Sequence, residues 1–130
     1  MATWDDVRRI ATELPEAVDD PGTDRTTTAW RIGRKAFVWE RPLRRGDIEA
    51  LGAAAPTGPI LAARVSDEGA KQALVADAPD IYFTTPHFNG YPAVLVQLDQ
   101  IDVDELRELM TEAWLARAPK RLARQHGYTD

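Results

Sequence analysis

TTTAWRIGRKAFVWER, from Thr26 to Arg41, is the stretch that decides the fold. Two runs rich in aromatic and β-branched residues, Thr26–Ile32 and Lys35–Arg41, flank the pair Gly33-Arg34. A two-residue loop opening with glycine signals a hairpin, because glycine supplies the positive φ that tight antiparallel turns need. The register it predicts sets Trp30 opposite Phe37 and Thr28 opposite Trp39. Trp30, Ile32, Phe37 and Trp39 then share one face, and Ala29, Arg31, Val38 and Glu40 the other. One aromatic face and one mixed face describe an antiparallel sheet covered on one side.

Working outward, Thr3 precedes apolar residues at Trp4, Val7, Ile10, Ala11 and Leu14, one stripe of a helix that ends at Pro15. Thr3 and Asp6 resemble a capping box. Residues 16–25 read as a polar loop. Residues 42–59 read as irregular, with Asp47 placed to cap a short helix over Ile48–Ala53. Ile60–Val65 reads as a strand. Ser66 or Asp67 caps a helix running to about Ala76, with Ala70, Ala73 and Leu74 inward. Ile81–Phe88 and Tyr91–Leu98 flank Asn89-Gly90, the strongest short-range hairpin signal. Pro86 and Pro92 near its tip remove ladder donors, which predicts an edge or a protruding ribbon. Asp102 or Asp104 opens a helix with an apolar stripe at Val103, Leu106, Leu109, Met110, Ala113 and Trp114. A last turn or two follow over Pro119–Gln125, stopped by Gly127. The expected fold is α+β: one compact domain over residues 1–130, in the order α-ββ-β-α-ββ-α, with an antiparallel sheet and helices packed on one face.

At 130 residues the chain has the length of one domain, and at 44% apolar residues it has the composition of a globular one. It has no cysteine, which removes thiolate metal sites, cysteine nucleophiles and disulfides. Its two histidines, His87 and His126, lie far apart. The start Met-Ala-Thr-Trp-Asp-Asp is neither basic nor apolar, and no run approaches the roughly 20 apolar residues of a membrane span. A cytoplasmic protein with no membrane partner is expected. No phosphate-loop, dinucleotide or nucleophile-elbow motif is present, so no enzyme activity and no cofactor are expected.

Sixteen basic residues against 21 acidic give a net charge of −5. The charge is unevenly spread. Residues 25–46 hold seven basic residues and one acid, a net of +6, and residues 113–129 hold four basic residues and no acid, a net of +4. The rest of the chain is strongly acidic. Such polarity steers charged partners even when the total is unfavourable.

The run Thr28-x-Trp30-x-x-Gly33-x-Lys35-x-Phe37 resembles the first hairpin of the MmcQ/YjbR family. So do the Asp67–Ala78 helix leading into Tyr82, the segment Pro86-His87-Phe88-Asn89-Gly90-Tyr91-Pro92, and the helix Leu106–Trp114 followed by Ala118-Pro119-Lys120-Arg121-Leu122. The similarity covers about residues 1–125 and is one of spacing and core residues. It implies a frataxin-like (CyaY-like) α+β fold. It also implies DNA binding through two protruding hairpins, a double wing.

Arg31, Arg34, Lys35, Arg41, Arg44 and Arg45 are the candidate phosphate contacts, with Lys120, Arg121 and Arg124 as a second patch. The plainer alternative is solvated charge balancing an acidic remainder. The second functional reading is an interaction module that binds an acidic protein or a small ligand and has no nucleic-acid affinity. His87, Asn89 and Tyr91 mark a candidate ligand pocket, for which turn chemistry is the simpler account. Acidic residues on the first helix (Asp5, Asp6, Glu13) and on the long one (Asp104, Glu105, Glu108, Glu112) could gather a cation, but helix-dipole preference already explains those near helix starts, so no metal site is assigned. The four tryptophans read as core, unless Trp39 proves exposed, which would reopen a base-stacking role.

Overall fold

The computed structural model describes residues 1–21, 27–125 and 127. Along the chain come α1 (Trp4–Glu13), β1 (Ala17–Asp20), β2 (Ala29–Ile32), β3 (Lys35–Glu40), α2 (Arg45–Leu51), β4 (Ile60–Arg64), α3 (Glu68–Asp77), β5 (Tyr82–Phe83), β6 (Ala93–Gln97), α4 (Val103–Arg117) and α5 (Lys120–Gln125). The six strands form one antiparallel sheet in the order β1-β2-β3-β4-β6-β5. This is the expected α+β class. Among the described residues no helix is long and apolar enough to cross a membrane.

The helix ends follow their local chemistry. Thr3 and Asp6 form the capping box at α1, with the Thr3 amide donating to Asp6 Oδ2 at 2.9 Å and the Asp6 amide to Thr3 Oγ1 at 3.3 Å. Asp67 caps α3 and Asp102 caps α4, each accepting a backbone N–H from three residues on. α1 and α4 lie on one face of the sheet over the main core, which includes the buried Val7, Ile10, Trp30, Phe37, Met110 and Trp114. The Trp114 indole donates to Pro15 O at 3.0 Å and locks the end of α1 to α4. A smaller apolar cluster on the opposite face holds Ile60, Ala62, Phe88, Ala93 and Leu95, with Trp39, Leu43 and Phe83 against it.

Several sequence expectations need correction. Residues 17–20, read as loop, are the edge strand β1, with Val18 opposite Arg31 and Asp20 opposite Ala29. Its two aspartates hide the strand signal, and its pairing with β2 supplies it. In the first hairpin Trp30 faces Val38 and Arg31 faces Ala36, so Phe37 is an extra residue, a β-bulge. Phe37 and Val38 consequently both enter the main core, and the strand's alternation is reset. Trp39 therefore faces away from Trp30, opposite Ala29 and Ala62. The short helix begins at Arg45, not Ile48, and Asp47 lies in its first turn, accepting the Arg44 amide at 2.9 Å.

The second hairpin departs most. Its base is paired, but Tyr82 meets Val96 and Phe83 meets Leu95, one residue away from the register in which a two-residue Asn89-Gly90 loop pairs Phe88 with Tyr91. Beyond that the arms leave the ladder. Pro86–Phe88 forms a 3₁₀ turn, and the Tyr91 amide donates to Phe88 O at 3.0 Å. Asn89 at φ −59°, ψ 126° and Gly90 at φ 77° make a type II turn, where a two-residue hairpin requires positive φ at its first position. Phe88 folds back onto the sheet, so the second wing does not project as a ribbon. On α3, Ala73 is exposed, and Lys71 takes the buried position.

Candidate nucleic-acid interface

The sheet face opposite α1 and α4 is only partly covered, and there the basic hairpin residues meet aromatic ones. The bulge at Phe37 turns Trp39 to this face, next to Ala29, Arg31 and Ala36. A cleft of about 430 Å³ opens here, lined by Arg31, Arg34, Trp39, Tyr91 and Arg117, with Asp20 and Glu40 as its acids. An adjoining cleft shares Trp39 and Tyr91 and adds Leu43, Arg44 and His87.

The three arginines reach this place from different elements. Arg31 is on β2, Arg34 in the two-residue turn and Arg117 at the end of α4. Arg31 Nε donates to Asp20 Oδ2 at 2.7 Å, and its Nη1 to Arg34 O at 3.2 Å, which holds the turn against the strand. Arg117 Nε is buried and finds no acceptor among the described residues. Tyr91 is 43% exposed, and Arg64 lies over its ring at 5.1 Å. The cleft thus offers a partly buried Trp39 floor, an exposed phenol ring and guanidinium groups at its rim.

Two buried cations build the wall that carries Tyr91. Lys71 is fully buried on α3, and its Nζ donates to Phe88 O at 2.8 Å and Tyr91 O at 2.9 Å, beside Glu68 Oε2 at 2.8 Å. It grips the first and last carbonyls of the type II turn. Arg41 is 5% exposed and Asp47 4%, with Nη2 and Oδ2 3.0 Å apart, and the Arg41 guanidinium sits 5.3 Å over the Phe88 ring. Burial raises the Asp47 pKa, but the Arg44 amide and the Arg41 charge outweigh it and hold the carboxyl below its ordinary value.

The sequence-selected cations therefore divide. Arg31 and Arg34 line the cleft, and Lys35 is exposed beside them at the hairpin end. Arg44 lines the adjoining cleft, and Arg45 is exposed on α2. Arg41 is no surface cation, since its charge is spent on Asp47 inside the protein. Lys120, Arg121 and Arg124 are exposed on α5 and line neither cleft. His87 and Tyr91 line the adjoining cleft, and the exposed Asn89 does not. Arg25 and His126 lie outside the described residues.

Sequence reasoning missed Arg117 and Lys71. Arg117 closes the last turn of a helix read only for its apolar stripe. Lys71 follows Ala70 and precedes Leu74 by three residues, so it falls on the apolar stripe of α3, a position a lysine takes only with buried acceptors to meet. That was the available signal. Among the described residues no group of three or more His, Asp or Glu side chains is placed to hold a metal ion.

A family model described as YjbR matches residues 12–116. The chain belongs to the YjbR family. Similar chains include the uncharacterized proteins Rv2570 and MT2646 of Mycobacterium tuberculosis and Mb2600 of Mycobacterium bovis. Each is 58% identical over 125 residues, covering 94% of this YjbR chain and 93% of the relative. A crystal structure of Deinococcus radiodurans protein DR2400, with a DUF419 domain, superposes with a TM-score of 0.69. That match covers 100% of this chain and 91% of the other at 22% identity, so it shows a shared fold.

Proposed function

We propose that this YjbR protein binds DNA through the arginine-rimmed cleft on its partly open sheet face, in the cytoplasm and without catalysing a reaction. The observation that carries the reading is the convergence of Arg31, Arg34 and Arg117 around Trp39 and Tyr91. Guanidinium groups match phosphate geometry, and aromatic faces stack on unpaired bases. Both features support nucleic acid over a featureless acidic partner. With the second wing folded down, the reading assigns the approach to a duplex to the Gly33-Arg34 hairpin. The His87 and Phe88 rings meet at a steep angle with their centroids 5.1 Å apart, and the reading gives His87 no chemical role.

Fluorescence anisotropy with labelled duplex and single-stranded DNA, at low and at moderate salt, tests the proposal. Salt-sensitive binding is expected, weakened at least tenfold by Arg34→Glu with Lys35→Glu and severalfold by Arg117→Gln. Absence of binding at low salt, or variants that bind like the wild type, would sink it.

A further inference from the structure

On the opposite side of the sheet the helical layer has a gap. α3 and α4 face each other across a trough of about 1080 Å³, with Val65 and Tyr82 among the residues lining it between the helices. Each helix turns a stripe of regular spacing toward it. α3 presents Ala70, Ala73, Leu74 and Asp77, and α4 presents Glu105, Glu108, Leu109, Glu112 and Leu115. These are i, i+3, i+4 and i+7 positions, the pattern by which a helix meets another helix. Small and apolar side chains form the bottom and carboxylates the rim.

The rim charge is unbalanced. Among the described residues no lysine or arginine lies within ion-pair distance of Asp77, Asp104, Glu105, Glu108 or Glu112. Among the described residues Arg64 is the single cation lining the trough, and its guanidinium stacks on Tyr91; Arg107, paired with Glu13, acts on Asp104 through its field alone. Glu105 accepts the Tyr82 hydroxyl at 2.6 Å. Burial first, then that carboxylate and the fields of Asp102 and Asp77, push the Tyr82 phenol far up. The negative potential thus reaches the trough wall as well as its rim.

We infer that this trough docks a basic amphipathic helix from a partner protein, about three turns long, with small or aliphatic residues toward Ala70, Leu74 and Leu109 and lysines or arginines toward the rim. The length follows from the ten residues of α3, which span about 15 Å. The partner is specified by charge complementarity and by the two facing stripes. The inference stands apart from DNA binding, since it uses another surface of opposite sign.

The test uses the full chain and a labelled synthetic peptide of leucine, alanine and lysine patterned as one apolar face. A scrambled peptide of identical composition is the reference, both at physiological salt. Ala73→Arg with Ala116→Arg places bulk and positive charge in the trough from exposed positions on both walls, so the fold should survive. Glu49→Lys, exposed on α2, changes the net charge by the same amount elsewhere. The patterned peptide is expected to bind at least tenfold tighter than its scramble, to lose that advantage with the trough variant and to keep it with Glu49→Lys. Equal binding of both peptides, or equal weakening by Glu49→Lys, would reduce the effect to net charge and overturn the inference. So would self-association that the trough variant abolishes while the peptide fails to bind, because the occupant would then be a second copy.

Discussion

Lys71 and the Arg41–Asp47 pair place three charged side chains inside a small protein, and each has a measurable consequence. Lys71→Met keeps the aliphatic volume and removes the ammonium. The carbonyls of Phe88 and Tyr91 then lose the ammonium and keep one backbone donor each, the Tyr91 amide and the Ala93 amide. A hydrogen bond to a charged group contributes about 1.5–3 kcal/mol, so losing two should cost the variant on the order of 3 kcal/mol in urea unfolding. A loss below about 1 kcal/mol would mean that the turn does not depend on the clamp. Asp47 carries a pH signature. Its folded-state pKa is lowered from the ordinary 3.8, so it contributes stability above that value, and the contribution is lost as pH falls through the folded pKa. Asp47→Asn should cost about 3 kcal/mol near neutrality, since it leaves Arg41 buried without its counter-charge. Thermal melts from pH 7 down to about pH 3 should show the wild type and variant curves converging. Parallel curves would show that the carboxyl does not titrate differently in the folded state.

At the scale of elements, the turn between β2 and β3 tests how far local geometry positions the cleft. Gly33 has φ +60°, and no atom lies near an added Cβ, so the cost of substitution is conformational alone. Gly33→Ala should destabilise by about 1–2 kcal/mol, and Gly33→Asn by clearly less, because asparagine tolerates left-handed backbone. Equal losses would point to a contact instead. The same hairpin shows what the sequence could and could not reveal. Its turn, the capping box at Thr3 and the stripe of α4 were all legible, because each is set by residues within one turn or one ladder of each other. The bulge was not. Nothing in Ala36-Phe37-Val38 marks the extra residue, and two adjacent apolar side chains need a helix packed above them before both turn inward. Placing Trp39 on the cleft face depended on that tertiary choice. The Asn89-Gly90 turn failed for a related reason. The flanking prolines starve the ladder, and Lys71, twenty residues before Tyr91, rewards the type II turn with a donor.

At the scale of the molecule the chain is two-sided. Arginines rim a cleft on one face of the sheet, and carboxylates rim the trough on the other, so the net charge of −5 describes neither surface. A nucleic acid approaching such a protein is oriented before it touches, and the acidic face limits how many phosphates are met. With about three cations in reach, log Kd against log salt should change by roughly 2–3 per decade on duplex, and Arg117→Gln should remove about one. A slope near ten would require contacts well beyond the cleft. The composition made this polarity visible, but only folding placed Arg117, 83 residues on, beside Arg34.

The two borders of the sheet have a consequence for how this protein behaves when crowded or heated. β1 is four residues long and carries Asp19 and Asp20, and β5 is two residues long, with Pro86 soon after it. Neither offers a neighbouring molecule a long, uncharged row of open amides and carbonyls to extend. Runaway strand addition between copies, the usual route from a small sheet protein to fibrils, is blocked at both ends by brevity, charge and an imino acid, and a concentrated solution of the native chain should stay free of thioflavin-positive material until the fold itself melts.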